Sequence, residues 1–146
     1  MTVSLKCQYA LRAVFELARL GTTVPAKIAD IGRAQGIPVR FLENILHELK
    51  RAGIVHSFRG KYGGYVLANS PGEVTVGDIV RCIEGPPLTA GCITGKQNGC
   101  PSQGDCVFLP LWERLQHAIT DIYDSTTFED LVTQSHAKKA YIDYVI

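Results

Sequence analysis

The sequence predicts a mostly α-helical chain with one small β-hairpin, arranged as a winged helix-turn-helix followed by a long C-terminal dimerisation helix. Three observations predict this fold. Apolar residues recur at helical spacing, two short helices meet across a turn that contains glycine, and a Gly-rich hairpin follows them. At 146 residues, of which 46% are apolar, the chain is large enough to bury a core.

Boundary residues predict the first helices. Ser4 is a suitable N-cap for a first helix, whose apolar residues recur at helical spacing until Gly21 ends it. Pro25 can open a short second helix that ends near Gly36. The turn at residues 35–37 then leads into a third helix, which is the arrangement of a helix-turn-helix.

The third helix, predicted over residues 38–52, has two chemically different faces. Its apolar side carries Phe41, Leu42, Ile45, Leu49 and Ala52. Its polar side carries Arg40, Glu43, Asn44, His47 and Arg51. In the major groove, Arg can donate two hydrogen bonds to guanine, Asn can pair with adenine, and Glu can accept from cytosine. This face therefore predicts base reading, and an ordinary solvated helix face is the alternative interpretation.

A short hairpin follows the third helix. Residues 54–58 and 65–67 are predicted strands, and the RGKYGG segment between them supplies the glycines of a tight tip. Lys50, Arg59 and Lys61 are predicted to contact phosphates or, in the case of the hairpin, a narrow minor groove.

Charge is unevenly distributed along the chain. Residues 1–67 contain ten Lys and Arg against four Asp and Glu, whereas residues 68–146 contain five against ten. This asymmetry predicts that the first half contacts a polyanion, and the hairpin and the polar helix face favour double-stranded promoter DNA over chance clustering. The sequence has no stretch long and apolar enough for a membrane span and no secretory signal, so we expect a cytoplasmic protein without membrane contact.

The C-terminal half is predicted to contain a fourth helix, a loop and a long helix. The VTVGDIVRCIEG segment has helical periodicity, and the stretch that follows it, up to about Val107, is rich in Gly and Pro. Pro110 then opens a helix with a broad apolar stripe formed by Phe108, Leu111, Trp112, Leu115, Ala118, Ile119 and Ile122. Such a stripe predicts packing against a second copy in a homodimer.

Three segments are therefore distinguished. They are a winged helix-turn-helix DNA-binding domain over residues 1–68, a linking helix and cysteine loop over residues 69–106, and a dimerisation helix with a tail over residues 107–146. Within the last segment, Thr127 is a suitable N-cap for one more short helix over residues 131–132. The remaining tail, residues 133–146, gives only a weak signal for secondary structure.

Three of the five cysteines lie in the loop. Cys92, Cys100 and Cys106 are separated by seven and five residues. In a reducing compartment, cysteines serve metal binding or thiol chemistry rather than disulfides. Thiolates are soft ligands that suit iron in sulfide clusters, whereas a structural zinc site typically has a close cysteine pair and four protein ligands. The three cysteines are therefore candidate ligands of an iron-sulfur cluster.

Several segments closely resemble the bacterial family that contains IscR, NsrR and RirA. They are QYALRAVFELA, IADIGRAQGIPVRFLENILHELKRAGIVHSFRGKYGGYVLA, VTVGDIVRCIEG and CITGKQNGCPSQGDC, and the resemblance covers about residues 4–132. It implies a homodimer joined by the long C-terminal helix, with the loop cysteines ligating a 2Fe-2S or 4Fe-4S cluster whose state sets DNA affinity. It also implies DNA contacts from Arg40, Phe41, Glu43, Asn44 and Arg59. The cysteine spacing looks more like the iron-responsive RirA type than the IscR type.

The sequence leaves the fourth cluster ligand open. IscR-like members supply a histidine three residues after the third cysteine, where this chain has Leu109. Some NsrR-like members supply a carboxylate from the first helix of the other subunit, where this chain has Gln8 beside Cys7. Cys7 also lies on the apolar face of that helix, where an inert buried cysteine is expected, so Gln8, Asp105, a water or a small thiol compete with it. Cys82 is expected to be a core residue.

These features predict a DNA-binding transcription regulator, a repressor or an activator, whose promoter binding is controlled by an iron-sulfur cluster sensing iron, nitric oxide or redox state. The alternative is a cluster-free regulator controlled by thiol oxidation or by a protein partner. An enzyme is not expected, because the chain has no flavin or dinucleotide fingerprint and no Ser/His/Asp or paired-carboxylate arrangement.

Overall fold

The computed structural model describes residues 3–87 and 105–145, which contain six α-helices and a two-stranded antiparallel hairpin. In chain order the elements are α1 (Leu5–Leu20), α2 (Ile28–Gln35), α3 (Val39–Arg51), β1 (Val55–Phe58), β2 (Gly64–Leu67), a 3₁₀ turn (Pro71–Glu73), α4 (Val76–Glu84), α5 (Leu109–Ser125) and α6 (Phe128–Val145). The predicted fold class, a mostly helical winged helix-turn-helix with a long helix towards the C-terminus, is confirmed. Within these residues no helix is both long enough and apolar enough to span a membrane.

Local hydrogen bonding sets the helix boundaries of the N-terminal part. The Ser4 hydroxyl accepts a hydrogen bond from the Cys7 backbone N–H at 3.1 Å, which makes Ser4 the N-cap of α1 as predicted. Gly36 has a left-handed backbone with a φ of 61°, a conformation that favours glycine. This residue ends α2 and turns the chain towards α3, which completes the helix-turn-helix.

The start of α2 differs from the prediction. Pro25 does not open the helix, which begins at Ile28 with Lys27 as its N-cap. The reason is that Ala26 pairs with Tyr65 through two backbone hydrogen bonds of 2.8 and 2.9 Å. The chain before α2 is therefore extended along the hairpin and is not free to begin a helix there.

The hairpin forms the wing. Its strands pair in a register that places Val55 opposite Leu67 and Phe58 opposite Gly64. Gly64 has a φ of 154°, and a Cβ atom at this position would overlap the backbone of Ala26. Glycine is required here because the wing packs directly against the segment that precedes α2.

One hydrophobic core joins the first three helices, the wing, α4 and the start of α6. Its largest fully buried side chains are Val14, Leu17, Ile31, Leu42, Ile45, Leu46, Leu49, Val55, Ile79 and Phe128. The core side of α3 differs from the predicted set, because Phe41 and Ala52 are exposed and Leu46 is buried. The buried positions 42, 45, 46 and 49 follow the spacing of a single helix face.

The last helix is longer than predicted. The sequence predicts a short helix after Thr127, whereas α6 continues to Val145. The side chains of Thr127 and Asp130 each accept a hydrogen bond from the other's backbone N–H, which fixes the first turn and confirms the predicted cap. Residues 133–145 are exposed on every side, so no apolar periodicity marks this part of the helix in the sequence.

Candidate DNA-binding face and cysteine segment

The polar face of α3 is exposed along its length. Its predicted site residues, all exposed, are Arg40, Glu43, Asn44, His47, Lys50 and Arg51. The opposite face of the helix is buried in the core, so the packing of α3 fixes which side faces outward. A recognition helix enters the major groove with this geometry.

Phe41 lies at the edge of this face. Its side chain is 44% exposed, and its ring centroid is 6.2 Å from that of Tyr9 on α1. The guanidinium carbon of Arg40 lies 4.8 Å from the Phe41 centroid, within the range of a cation–π contact. The aromatic pair therefore supports Arg40 and connects α1 to the polar face, a contact that the sequence pattern does not reveal.

The wing carries further basic side chains. Arg59 and Lys61 are exposed around the hairpin tip, and the Lys61 Nζ atom lies 5.6 Å from the centroid of the Tyr62 ring. The ion pairs between described residues leave out the predicted DNA-contacting cations, namely Arg40, Lys50, Arg51, Arg59 and Lys61. Because no described carboxylate pairs with them, these charges are available to phosphates.

A buried carboxylate on α1 forms a hydrogen bond with the last residue of α2. Glu16 on α1 is 3% exposed and accepts hydrogen bonds from Arg19 at 2.5 and 3.2 Å and from the Gln35 amide at 2.8 Å. Burial by itself would raise the pKa of Glu16, but the hydrogen bonds from Arg19 and Gln35 and the Arg19 charge outweigh it and lower the pKa. Because Gln35 is the last residue of α2, this contact attaches α1 to the turn before α3.

A groove of about 490 Å³ lies between the start of α1 and α3. Its walls include Leu5 and Tyr9, and an ion pair crosses from one helix to the other. The Lys6 Nζ atom lies 2.6 and 2.8 Å from the two carboxylate oxygens of Glu48. The two residues of this pair are 42 positions apart, so no local sequence pattern relates them.

Of the three predicted cluster ligands, Cys92 and Cys100 lie outside the described residues, and Cys106 lies within them. Cys106 is partly exposed, and its carbonyl oxygen accepts a hydrogen bond from the Leu109 N–H at 3.1 Å, just before α5. Within residues 3–87 and 105–145, no three His, Cys, Asp or Glu side chains are grouped so that they could hold a metal ion. A site that includes Cys106 therefore needs ligands from outside these ranges or from a second copy of the chain.

The two candidate fourth ligands on α1 differ in access. The Cys7 side chain is fully buried, and burial, with smaller contributions from the charges of Glu84 and Cys82, raises its pKa to about 11. Gln8 is exposed, and its side-chain amide donates a hydrogen bond to the Val3 carbonyl at 3.0 Å. Cys82 packs half-buried against the core, as predicted, and burial raises its pKa also. Cys7 and Cys82 are thus held as neutral thiols at neutral pH.

The apolar stripe on α5 is not covered by the described part of the chain. No residue of α5 is buried, and Leu111, Leu115 and Ile122 are 46, 39 and 63% exposed. The helix is nevertheless anchored to α4, because the Nη1 atom of Arg81 lies 2.7 Å from the Asp124 carboxylate. Exposed apolar stripes of this kind usually mark an interface.

Sequence comparison relates the chain to known regulators. It matches the Rrf2 family, described as "Iron-dependent Transcriptional regulator", over residues 3–134. It is 34% identical over 146 residues to the HTH-type transcriptional regulator CymR of Bacillus subtilis, and the match covers 99% of this chain and 100% of that protein. It is 33% identical over 132 residues to the HTH-type transcriptional regulator IscR of Pectobacterium carotovorum, and the match covers 90% of this chain and 79% of that protein.

Solved structures show the same relationships. The structure of CymR (YrzC), "the Global Cysteine Regulator of B. subtilis", superimposes with a TM-score of 0.76 at 32% identity, covering 92% of this chain and 98% of that chain. The structure of T. potens IscR superimposes with a TM-score of 0.72 at 31% identity, covering 92% of this chain and 88% of that chain. The relatives share the fold and a role in transcription. CymR and IscR are different regulators, however, so the similarity does not identify a single regulatory signal.

Proposed function

Because this chain belongs to the Rrf2 family of transcriptional regulators, we propose that it binds promoter DNA with α3 and the wing, and that an iron-sulfur cluster held by Cys92, Cys100 and Cys106 controls this binding. Its relatives are transcription regulators and not enzymes. The observation that carries the proposal is the outward polar face of α3, flanked by cations that no described carboxylate neutralises.

The residues of this surface divide into two roles. The side chains assigned to base edges in the major groove are Arg40, Glu43, Asn44, His47 and Arg51. Phe41, which is half-exposed beside them, suits an apolar contact with a thymine methyl group. Lys50, Arg59 and Lys61 are assigned to phosphates, with Arg59 and Lys61 near the adjoining minor groove. Base contacts would provide specificity, whereas phosphate contacts would provide orientation and most of the salt dependence.

The donor set fits an iron-sulfur cluster of either two or four irons. Three thiolates are soft ligands of the kind that iron-sulfur clusters use, and the partly exposed Cys106 side chain is accessible to such a group. When bound, the cluster would supply a redox-active and iron-dependent state. Of the two fourth-ligand candidates on α1, Gln8 is accessible as it stands, whereas Cys7 would have to leave the core and lose its proton.

The exposed stripe on α5 supports a homodimer. Leu111, Leu115 and Ile122 would be covered by the same helix of a second copy in a self-complementary interface. The proposed organisation is then a DNA-binding domain over residues 1–68, a linking segment over residues 69–106 and a dimerisation segment over residues 107–146. Two DNA-binding domains joined in this way would bind two half-sites on one duplex.

Cysteine variants test the cluster. Anaerobically purified wild-type protein should show visible sulfide-to-iron absorption, which the Cys92→Ala, Cys100→Ala and Cys106→Ala variants should lose. Cys82→Ala is the matched control, because its half-buried thiol is not assigned to the site. Affinity for a duplex that the wild-type protein selects from a random-sequence library should differ between the cluster-loaded and cluster-free proteins. Colourless protein with one zinc per chain would contradict the cluster.

A second candidate is a cluster-free regulator controlled by thiol oxidation. The similarity to a protein described as a global cysteine regulator favours it. Of the cysteines in the described residues, Cys7 and Cys82 have raised pKa values and are poorly suited to oxidation, so this function would rest on Cys92, Cys100 and Cys106. Mass spectrometry of metal-free protein after mild peroxide treatment should then find a reversible disulfide that includes Cys106. Absence of that disulfide in protein whose DNA binding still responds to peroxide would exclude it.

A further inference from the structure

The start of α1 is attached to both α4 and α3, and we propose that Lys6 and Glu84 are positioning residues that connect the cysteine-bearing segment to the recognition helix. The inference rests on the proposed function, because it takes α3 as the DNA-reading helix and the segment after α4 as the regulated one. Two polar contacts at the start of α1 carry it: one joins Ser4 to Glu84, and the other joins Lys6 to Glu48.

The first contact joins the end of α4 to the beginning of α1. Glu84 is the last residue of α4, and its Oε1 atom accepts a hydrogen bond from the Ser4 backbone N–H at 2.7 Å. Ser4 caps α1, whose first turn contains no acidic residue of its own. Glu84 therefore supplies the negative charge that stabilises a helix N-terminus, and it does so from the residue that precedes Gly85 and the cysteine segment. A displacement of that end of α4 would therefore move the hydrogen-bond acceptor of the Ser4 N–H at the start of α1.

The second contact joins the same turn of α1 to α3. Lys6 reaches both carboxylate oxygens of Glu48, at 2.6 and 2.8 Å. The two side chains are 45% and 36% exposed, and ion pairs of this exposure contribute little to folding stability. What the pair does provide is a direct side-chain contact between the first turn of α1 and the middle of α3. Glu48 lies one turn from Asn44 and from Arg51, so a shift at Glu48 is also a shift of the base-reading face.

Both contacts lie at the start of α1. The thiol of Cys82 on α4 has its pKa raised mainly by burial, and the nearby charges of Glu48 and Lys6 act on it in opposite directions. The thiol of Cys7 on α1, whose pKa is raised first by burial, also senses the charge of Glu84. The end of α4, the start of α1 and the middle of α3 are thus neighbours, which makes the route from Gly85 to Glu48 short and continuous.

This route predicts a specific effect on regulation. Coupling between two sites is the factor by which one ligand changes the affinity for the other. Lys6→Gln or Glu84→Gln should therefore reduce the ratio of DNA affinities between the cluster-loaded and cluster-free proteins by about fivefold, the lower end of typical coupling factors. Neither change removes a residue assigned to a base edge, so each variant should keep a DNA-binding form.

The experiment measures this ratio by fluorescence anisotropy on the full chain, with the duplex that the wild-type protein selects. Each protein is titrated anaerobically with its cluster loaded and again after the cluster is removed. Reversal of the pair, Lys6→Glu with Glu48→Lys, should restore the ratio that Lys6→Gln loses. The matched control is Lys139→Gln, which removes one exposed lysine from α6. Circular dichroism and thermal unfolding should show that all the variants are folded.

The outcomes separate this inference from the proposed function. If the cluster-loaded and cluster-free wild-type proteins bind DNA with equal affinity, the proposed function and the inference are both contradicted. A wild-type ratio that persists in folded Lys6→Gln and Glu84→Gln variants contradicts the inference alone. Equal weakening of both forms would mean that Lys6 is an ordinary phosphate contact, and failure of the reversed pair to restore the ratio would mean that the Lys6–Glu48 pair does not carry it.

Discussion

The head formed by α1 to α4 and the helix α5 differ in what covers their apolar side chains. In the head, Leu42, Leu46 and Leu49 are fully or almost fully removed from solvent by other elements of the same chain. In α5 no side chain is buried, and Leu111 and Leu115 remain well exposed. The core of the head, which Phe128 of α6 completes, is therefore formed within one chain, whereas the stripe on α5 needs a second surface. Folding and assembly of this protein should be separable by mutation.

The junction between these two regions is nevertheless firm. The Val76 N–H donates to the Thr126 carbonyl at 2.9 Å, and the Phe128 N–H donates to the Val74 carbonyl at 3.0 Å. Phe128 then enters the core of the head. A partner bound along α5 would therefore have a defined position relative to α3, which dimeric binding of two half-sites requires.

The largest expected effect is the loss of core packing in the head. Leu46→Ala should lower the free energy of unfolding by about 2–5 kcal/mol, because the side chain is fully buried and its removal leaves a cavity. Chemical denaturation followed by circular dichroism measures this. Ala52→Gly at the exposed end of α3 is a control for the helix itself, and equal destabilisation by the two changes would contradict the assignment of the core face.

The next effect concerns assembly. Leu115→Asp should weaken the dimer by at least about a hundredfold, since two copies of the leucine are lost per symmetric interface, each buried leucine contributes about 1.5–3 kcal/mol, and about 1.4 kcal/mol corresponds to a tenfold change. Sedimentation equilibrium measures the dissociation constant. Gln134→Asp, which adds the same charge on the exposed part of α6, should leave it unchanged. Unchanged association of Leu115→Asp would show that α5 is not the interface.

A smaller effect is expected at the buried carboxylate. Glu16→Gln should cost about 1–3 kcal/mol of stability at neutral pH, because it weakens charge-assisted hydrogen bonds to a buried group. The pKa of Glu16 is lowered in the folded protein, so its contribution is complete above the unfolded-state pKa and is lost as the pH falls through the folded value. The difference in stability between wild type and variant should shrink on acidification. A difference that is constant with pH would contradict the role of the ionised form.

Features that depend on neighbouring residues could be predicted from the sequence, whereas contacts between distant residues could not. The cap at Ser4, the turn at Gly36 and the outward face of α3 depend on local chemistry and helical spacing, so they could be read from the chain. The pairs Lys6–Glu48 and Glu84–Ser4 join residues distant in sequence, and no periodicity encodes them. Residues 133–145 form a helix without an apolar face, which a pattern based on burial misses. The roles of Cys92 and Cys100 remain predictions from their spacing and chemistry.

The smallest effect compares one cation of the head with one cation of the C-terminal helix. Lys50 is exposed on α3, and Lys138 is exposed on α6. If Lys50 contacts a phosphate, Lys50→Gln should reduce the slope of log K against log salt by about 0.9, because one counterion fewer is released on binding. Lys138→Gln removes the same charge from the chain and should leave the slope unchanged. Anisotropy titrations over a series of salt concentrations measure both slopes. Equal slopes for the two variants would mean that the basic character of the head acts through net charge alone and not through contacts at α3.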